Sequence, residues 1–285
     1  MNPYRRFVAE QARLLREARG YELGGLPPAP RPELPADAPR VLIFAPHPDD
    51  ECIVGALPLR LLRQSRMRVI DVAVTLGSRQ ERRAERRAEL QGACEYLGFE
   101  LIVPATAERG GIRPDVRQAD PESWRRGVEE MAELLARQRP RVILLPHEAD
   151  WNRTHVGTHL LLTDALATLP PGFECAVVET EFWGQMRSPN LLVESSEEDV
   201  ADLVAATSFH AGEVRRNPYH LFLPAWLQDN VRRGGERVGG QGAAPPGFLF
   251  ATLYRLRRWR GGRLGEIYAG GRMLAADQDP EHLLR

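Results

Sequence analysis

Apolar positions along the chain follow two alternating patterns. Short, nearly continuous apolar runs at residues 41–44, 68–75, 142–145 and 176–181 are too short for helices. They read as strands buried on both faces of a parallel sheet, with a shorter strand at 101–104. Between them lie longer stretches with helical periodicity: 52–66, where Pro58 kinks the second turn; 79–97, ended by Gly98; 121–137, capped by Asp120; the segment entered at His155; and 197–210. This alternation predicts an α/β fold. Residues 3–19 place Tyr4, Phe7, Val8, Leu14, Leu15 and Ala18 on one helical stripe, so a helix is expected to pack there, on the core or on another subunit. Residues 24–39, with Gly24, Gly25 and six prolines, predict an extended connector, which divides the chain into 1–39 and 40–285. Residues 248–259 suggest a further strand, the glycine pairs 261–262 and 270–271 hairpin-like turns, and the end from Asp277 a frayed tail. No form follows from the Arg- and Gly-rich residues 217–240.

Composition narrows the chemistry. The 285 residues carry 38 basic and 39 acidic groups, a formal net charge of −1, so nothing global points to nucleic acid or to an anionic membrane. Every one of those basic residues is arginine. A phosphate-loop lysine, a Schiff-base lysine and a lysine general base are therefore excluded. Cys52, Cys94 and Cys175 share no CxxC spacing and sit beside apolar residues, as reduced buried thiols would, which leaves no cysteine-rich zinc site. The first twenty residues interleave Arg and Glu with the apolar positions, and no stretch is long and apolar enough to span a bilayer; a cytoplasmic location is the expectation. There is no GxSxG elbow.

Two polar clusters each follow an apolar run and precede a helix. The first is Pro46-His47-Pro48-Asp49-Asp50-Glu51 and the second runs from His147 to His155. In a parallel sheet both lie at the carboxyl edge, where open α/β sheets bind ligands, so their side chains can meet. His47 and Asp50, three apart on a tight turn, can share one divalent metal and leave Asp49 free as a base. The alternative is that the aspartates cap the next helix. His155 and His159, four apart, have the spacing of a two-histidine clamp; His159, beside Leu160 to Leu162, can equally be an interior histidine, and His155 at the loop-to-helix junction is the better ligand candidate.

Together, Pro46-His47-Pro48-Asp49-Asp50-Glu51 and Asp150-x-Asn152-x-Thr154-His155 resemble the zinc-dependent deacetylases of the LmbE/PIG-L family, over roughly residues 40–215. The resemblance implies a Rossmann-like three-layer α/β/α sandwich with a mostly parallel sheet. It implies Zn2+, or another divalent metal, on His47, Asp50 and His155, Asp49 as general base, and removal of an acetyl group from a small N-acetylated sugar or glycoconjugate. Arg86, with Glu89 ahead of Gly98, fits the family's substrate-contacting arginine; Asp150, His147 and His159 are further substrate-side candidates. Where the family carries D-x-H-x-D-H, this chain has Asn152 and Thr154 in place of the His-Asp pair. An amide can donate to an oxyanion but cannot supply a proton. Asp49 is then expected to move the proton both ways, with His147 or His159 as substitutes. The departure also motivates an alternative, a metal- or sugar-binding module of this fold with lost or altered catalysis. Neither nucleic acid nor membrane is an expected partner, and a homo-oligomer through the N-terminal helix is a possible assembly.

Overall fold

In a computed structural model describing residues 2–284, the strands are β1 (Arg40–Ala45), β2 (Arg68–Ala73), β3 (Glu100–Ile102), β4 (Val142–Pro146), β5 (Cys175–Thr180), β6 (Leu191–Ser195), β7 (Phe250–Arg260), β8 (Arg263–Glu266) and β9 (Arg272–Leu274). They form one sheet in the order β3-β2-β1-β4-β5-β7-β6-β9, with β8 hydrogen-bonded to β7. The first five strands run parallel. The long β7 is antiparallel to β5 and β6, and β9 returns parallel to β6.

The apolar runs are continuous because successive side chains enter different cores. Val41 and Ile43 pack with Leu59, Leu90 and Leu203 beneath the helices Leu57–Arg63, Arg83–Leu97 and Glu197–Ser208. Leu42 and Phe44 point the other way, toward Met131 and Leu161 of the helices Pro121–Gln138 and Arg153–Thr168. Two helical layers therefore sandwich a mostly parallel sheet, the expected three-layer α/β fold. Burying each such side chain is worth about 1.5–3 kcal/mol, so a charge at any of Val41 to Phe44 would unseat the strand that carries the site.

Several local expectations are corrected. The helix expected over 52–66 is two, Asp50–Ile53 and Leu57–Arg63. They break at Gly55, whose φ is +88° and where a Cβ would lie 2.3 Å from Thr252 Oγ1. Pro58 sits in the first turn of the second helix, where its missing N–H costs nothing. The N-terminal helix forms as Tyr4–Ala18 but buries none of its residues; Tyr4, Phe7, Val8 and Leu14 all stay exposed, so it does not pack on this chain's core. The end is docked rather than frayed: Leu283 is buried, and the buried Arg60 donates to the carbonyls of Ala275 and Gln278. The unassigned 217–240 stretch holds the helix Leu223–Gly239, and β6 was not foreseen because it offers only three apolar residues.

Candidate functional site

β1 and β4 are parallel neighbours, with Val41 opposite Val142, so the loops leaving their carboxyl ends lie side by side. The first loop turns tightly, with Asp50 N donating to His47 O and His47 N donating to Asp50 Oδ2. The same carboxylate oxygen lies 3.4 Å from His47 Nδ1 and 3.2 Å from His155 Nε2, and the two imidazole nitrogens are 3.2 Å apart. His155 arrives from the first turn of the Arg153–Thr168 helix and is wholly buried. Three donor atoms from two remote segments thus converge within 4.8 Å. Asp50 Oδ1 and His155 Nδ1 are buried without hydrogen-bond partners. Two nitrogens and a carboxylate in this arrangement suit one divalent cation. Burial alone would raise the Asp50 carboxyl, but the charges and hydrogen bonds of His155 and His47 hold it well below the usual range, so it stays anionic.

Asp49 is adjacent but points elsewhere. Its φ of +114° is outside the range a non-glycine residue adopts freely, at a cost of about 1–3 kcal/mol. Neighbours impose it: Glu51 Oε2 accepts from Asp49 N at 2.8 Å, and Glu51 Oε1 lies 2.7 Å from His210 Nε2. The Tyr219 hydroxyl donates to Asp49 Oδ2. Burial, and then the negative Asp50 alongside, push the Asp49 carboxyl up to about 7. Glu51, Cys52 and His210 also bring donor atoms together. Burial keeps the Cys52 thiol protonated, however, and it donates to Glu51, so this trio is a hydrogen-bonded brace.

Other sequence candidates fall behind the converging donors rather than in front of them. Asp150 Oδ2 lies 3.7 Å from His155 Nδ1 and accepts from the backbone N–H groups of Trp183 and Gly184, while Oδ1 accepts from Asn152 N. It stands behind the imidazole as a negative charge, beyond hydrogen-bond distance. Gly184 makes this possible, since a Cβ there would lie 2.7 Å from Trp151 N. His147 is buried with Nε2 on Gly184 O, and His159 is buried with Nδ1 on Pro146 O. Both imidazoles are thus engaged with backbone carbonyls, whereas the sequence offers them, with Asp150, as substrate-side candidates. Asn152 both caps the helix, accepting from Thr154 N through Oδ1, and lines a cavity of about 660 Å3 that opens at His47. Arg86 lines the same cavity and donates to Pro48 O.

Residues 42–166 match the family described as PIG-L, GlcNAc-PI de-N-acetylase. This segment is similar to the PIG-L (LmbE-like) family, in line with the resemblance carried by its two polar clusters. Its fold is similar to that of a conserved protein from Thermus thermophilus, at 20% identity over 75% of this chain and 93% of that one, TM-score 0.57. It is also similar to the N,N'-diacetylchitobiose deacetylase from Pyrococcus horikoshii (17%, 92% and 94%, 0.54). A third likeness is the 4-carboxy-2-hydroxymuconate hydratase of Pseudomonas putida KT2440 (19%, 76% and 95%, 0.54). No curated protein matches the chain.

The matched segment contains His47, Asp49, Asp50, Asn152 and His155, with Glu51 and Cys52 of the brace, but His210 and Tyr219 lie beyond it. Sequence reasoning missed both. Tyr219 sits in a single 3-10 turn after Asn217-Pro218, and no spacing relates it to Asp49. His210, just past the Glu197–Ser208 helix, was visible only as its polar end. Tyr219 also borders a second cavity of about 340 Å3, walled by Ile53, Phe182, Trp183, Phe222 and Trp226.

Proposed function

We propose that residues 40–285 form a zinc-dependent amide hydrolase that removes an acetyl group from an N-acetylated amino sugar or glycoconjugate. The observation that carries this reading is the convergence of His47, Asp50 and His155 with Asp49 beside them and unshared. His47, Asp50 and His155 would hold the ion. When bound, Zn2+ lowers the pKa of a coordinated water and polarises the amide carbonyl.

The protein's own groups do the rest. Asp49 accepts the proton from the attacking water on Oδ1, since Oδ2 is held by the Tyr219 hydroxyl. The Asn152 amide N–H, free because capping uses Oδ1, donates to the oxygen that gains charge as water adds to the carbonyl carbon. As the C–N bond breaks, Asp49 returns its proton to the leaving amine, giving acetate and the free amino sugar. Asp150, 3.7 Å behind the His155 ring, would favour the tautomer that turns Nε2 toward the ion.

Asn152 and Thr154 favour one other reading, a binding module without turnover, because neither an amide nor a hydroxyl supplies a proton to a leaving amine as an imidazolium would. Acetate release from a panel of N-acetylated sugars, compared between the zinc-loaded protein, its chelator-stripped form and Asp49→Asn, separates the two. The hydrolase reading requires release that depends on both zinc and Asp49. Saturable sugar binding with no acetate released would establish the binding module.

A further inference from the structure

The cavity that opens at His47 is walled by arginine. Seven arginines line its roughly 660 Å3, against one carboxylate, Glu213. The chain as a whole is nearly neutral, at a net charge of −1, so this is a local segregation of charge. Four of the seven are at least partly neutralised: Arg82 and Arg216 by Glu213, Arg109 by Glu130, and Arg113 by Asp115. Among the described residues, Arg79, Arg83 and Arg86 have no carboxylate partner. Arg83 donates to the backbone carbonyls of Gly77 and Glu108, and Arg86 to that of Pro48.

Glycines seat these groups against the cavity. At Gly77, with φ of +86°, a Cβ would lie 2.5 Å from an Arg86 guanidinium nitrogen; at Gly110, with φ of +69°, it would lie 3.0 Å from one of Arg83. The loop bearing Gly110 is pinned in turn, because Gly157 lets the backbone of Arg113 pass close to the Arg153–Thr168 helix, where a Cβ would lie 2.8 Å away. His47, Asn152 and Thr154 line the same space. A substrate whose amide reached the His47 side would therefore extend its remaining groups along the unneutralised guanidinium groups. Arginine forks pair in bidentate fashion with planar or tetrahedral oxyanions.

We propose that Arg79 and Arg83 form an anion subsite and that the acetylated substrate carries an oxyanion, a phosphate or a carboxylate, on the amine side of the amide. The subsite rests on the hydrolase reading above for what it feeds, but not for its existence. Arg86, tied to Pro48, contributes charge and steadies the aspartate turn.

The test compares the zinc-loaded enzyme on three substrates: methyl N-acetylglucosaminide, N-acetylglucosamine 6-phosphate and N-acetylmuramic acid. One anionic substrate should exceed the neutral one in kcat/KM by about 100-fold, mainly through KM, at roughly tenfold per charged hydrogen bond. The phosphate and carboxylate arms identify which oxyanion fits. The advantage should shrink as salt rises, and the ratio should collapse toward one in the Arg79→Gln, Arg83→Gln double variant, its folding checked by circular dichroism. Calorimetric binding of the same three compounds to Asp49→Asn supplies a readout free of turnover. Equal kcat/KM for all three substrates, unmoved by the double substitution, would overturn the subsite and leave the hydrolase intact. Anion-selective binding that the arginine substitutions abolish, without hydrolysis of any compound, would support the subsite and overturn the hydrolase.

Discussion

The Tyr219 hydroxyl donates to Asp49 Oδ2 across 2.5 Å, joining two residues that stand 170 positions apart. It leaves one oxygen of the carboxylate engaged and the other available. In Tyr219→Phe the carboxylate is free to rotate, and kcat for acetate release should fall about 10- to 100-fold with KM little changed. An unchanged kcat would show that the hydroxyl does not orient the base.

Asp49 and Asn152 should differ sharply in steady-state kinetics. Asp49→Asn removes the proton carrier for both halves of the reaction, and a loss of about 1,000-fold or more in kcat is expected. Asn152→Ala removes one donor and one helix cap, costing about 10- to 100-fold in kcat and about 1 kcal/mol of stability. Comparable small losses from both would contradict Asp49 as the base.

Metal content should follow the three converging side chains. His47→Ala, Asp50→Asn and His155→Ala should each abolish stoichiometric zinc in the purified protein by elemental analysis, whereas Asp150→Asn should weaken zinc affinity about 10- to 100-fold through a less well oriented His155. Chelation should lower the thermal midpoint of the native chain and added zinc should restore it.

The Glu51–His210 brace is a stability element. His210→Ala leaves the Glu51 carboxylate buried with only the Asp49 N–H and the weak Cys52 donor, and a loss of about 3–5 kcal/mol is expected by urea unfolding. A loss below about 1 kcal/mol would mean that the pair contributes little to the fold.

Acid should weaken the contact between the Arg83–Leu97 helix region and residues 211–216. Burial tends to raise the Glu213 carboxyl, but hydrogen bonds from Arg216 and Arg82 bring it down to about 2 from an ordinary 4.5. The folded value is the lower one, so its contribution is complete above about pH 4.5 and is lost as pH falls toward 2. Glu213→Gln should flatten that part of the stability profile measured by thermal unfolding.

The layered fold and the two turns whose donor atoms converge could be read locally. Val41 to Phe44 and Val142 to Leu145 are apolar without interruption because each strand has a helical layer on both faces, and parallel pairing then obliges His47, Asp50 and His155 to meet at one edge. What pattern could not reach depended on distance in sequence. Gly55 breaks a helix because Thr252 and Tyr254 of β7 press against it, a contact no window around residue 55 contains. His147 and His159 looked like site residues by type and spacing, yet their backbone partners, Gly184 O and Pro146 O, turn them inward.

The amino-acid order alone thus determined the strand-to-helix rhythm, the exclusion of lysine and thiolate chemistry, and which short-range turns carry imidazole and carboxylate. Tertiary structure decided which of those groups face one another and which are turned away, set Asp49 in its left-handed backbone, and gathered arginines from separate segments around one cavity. The physical reason is that periodicity records only whether a side chain is buried. Hydrogen-bond partners and fields arise from segments that chain folding alone brings within a few ångströms.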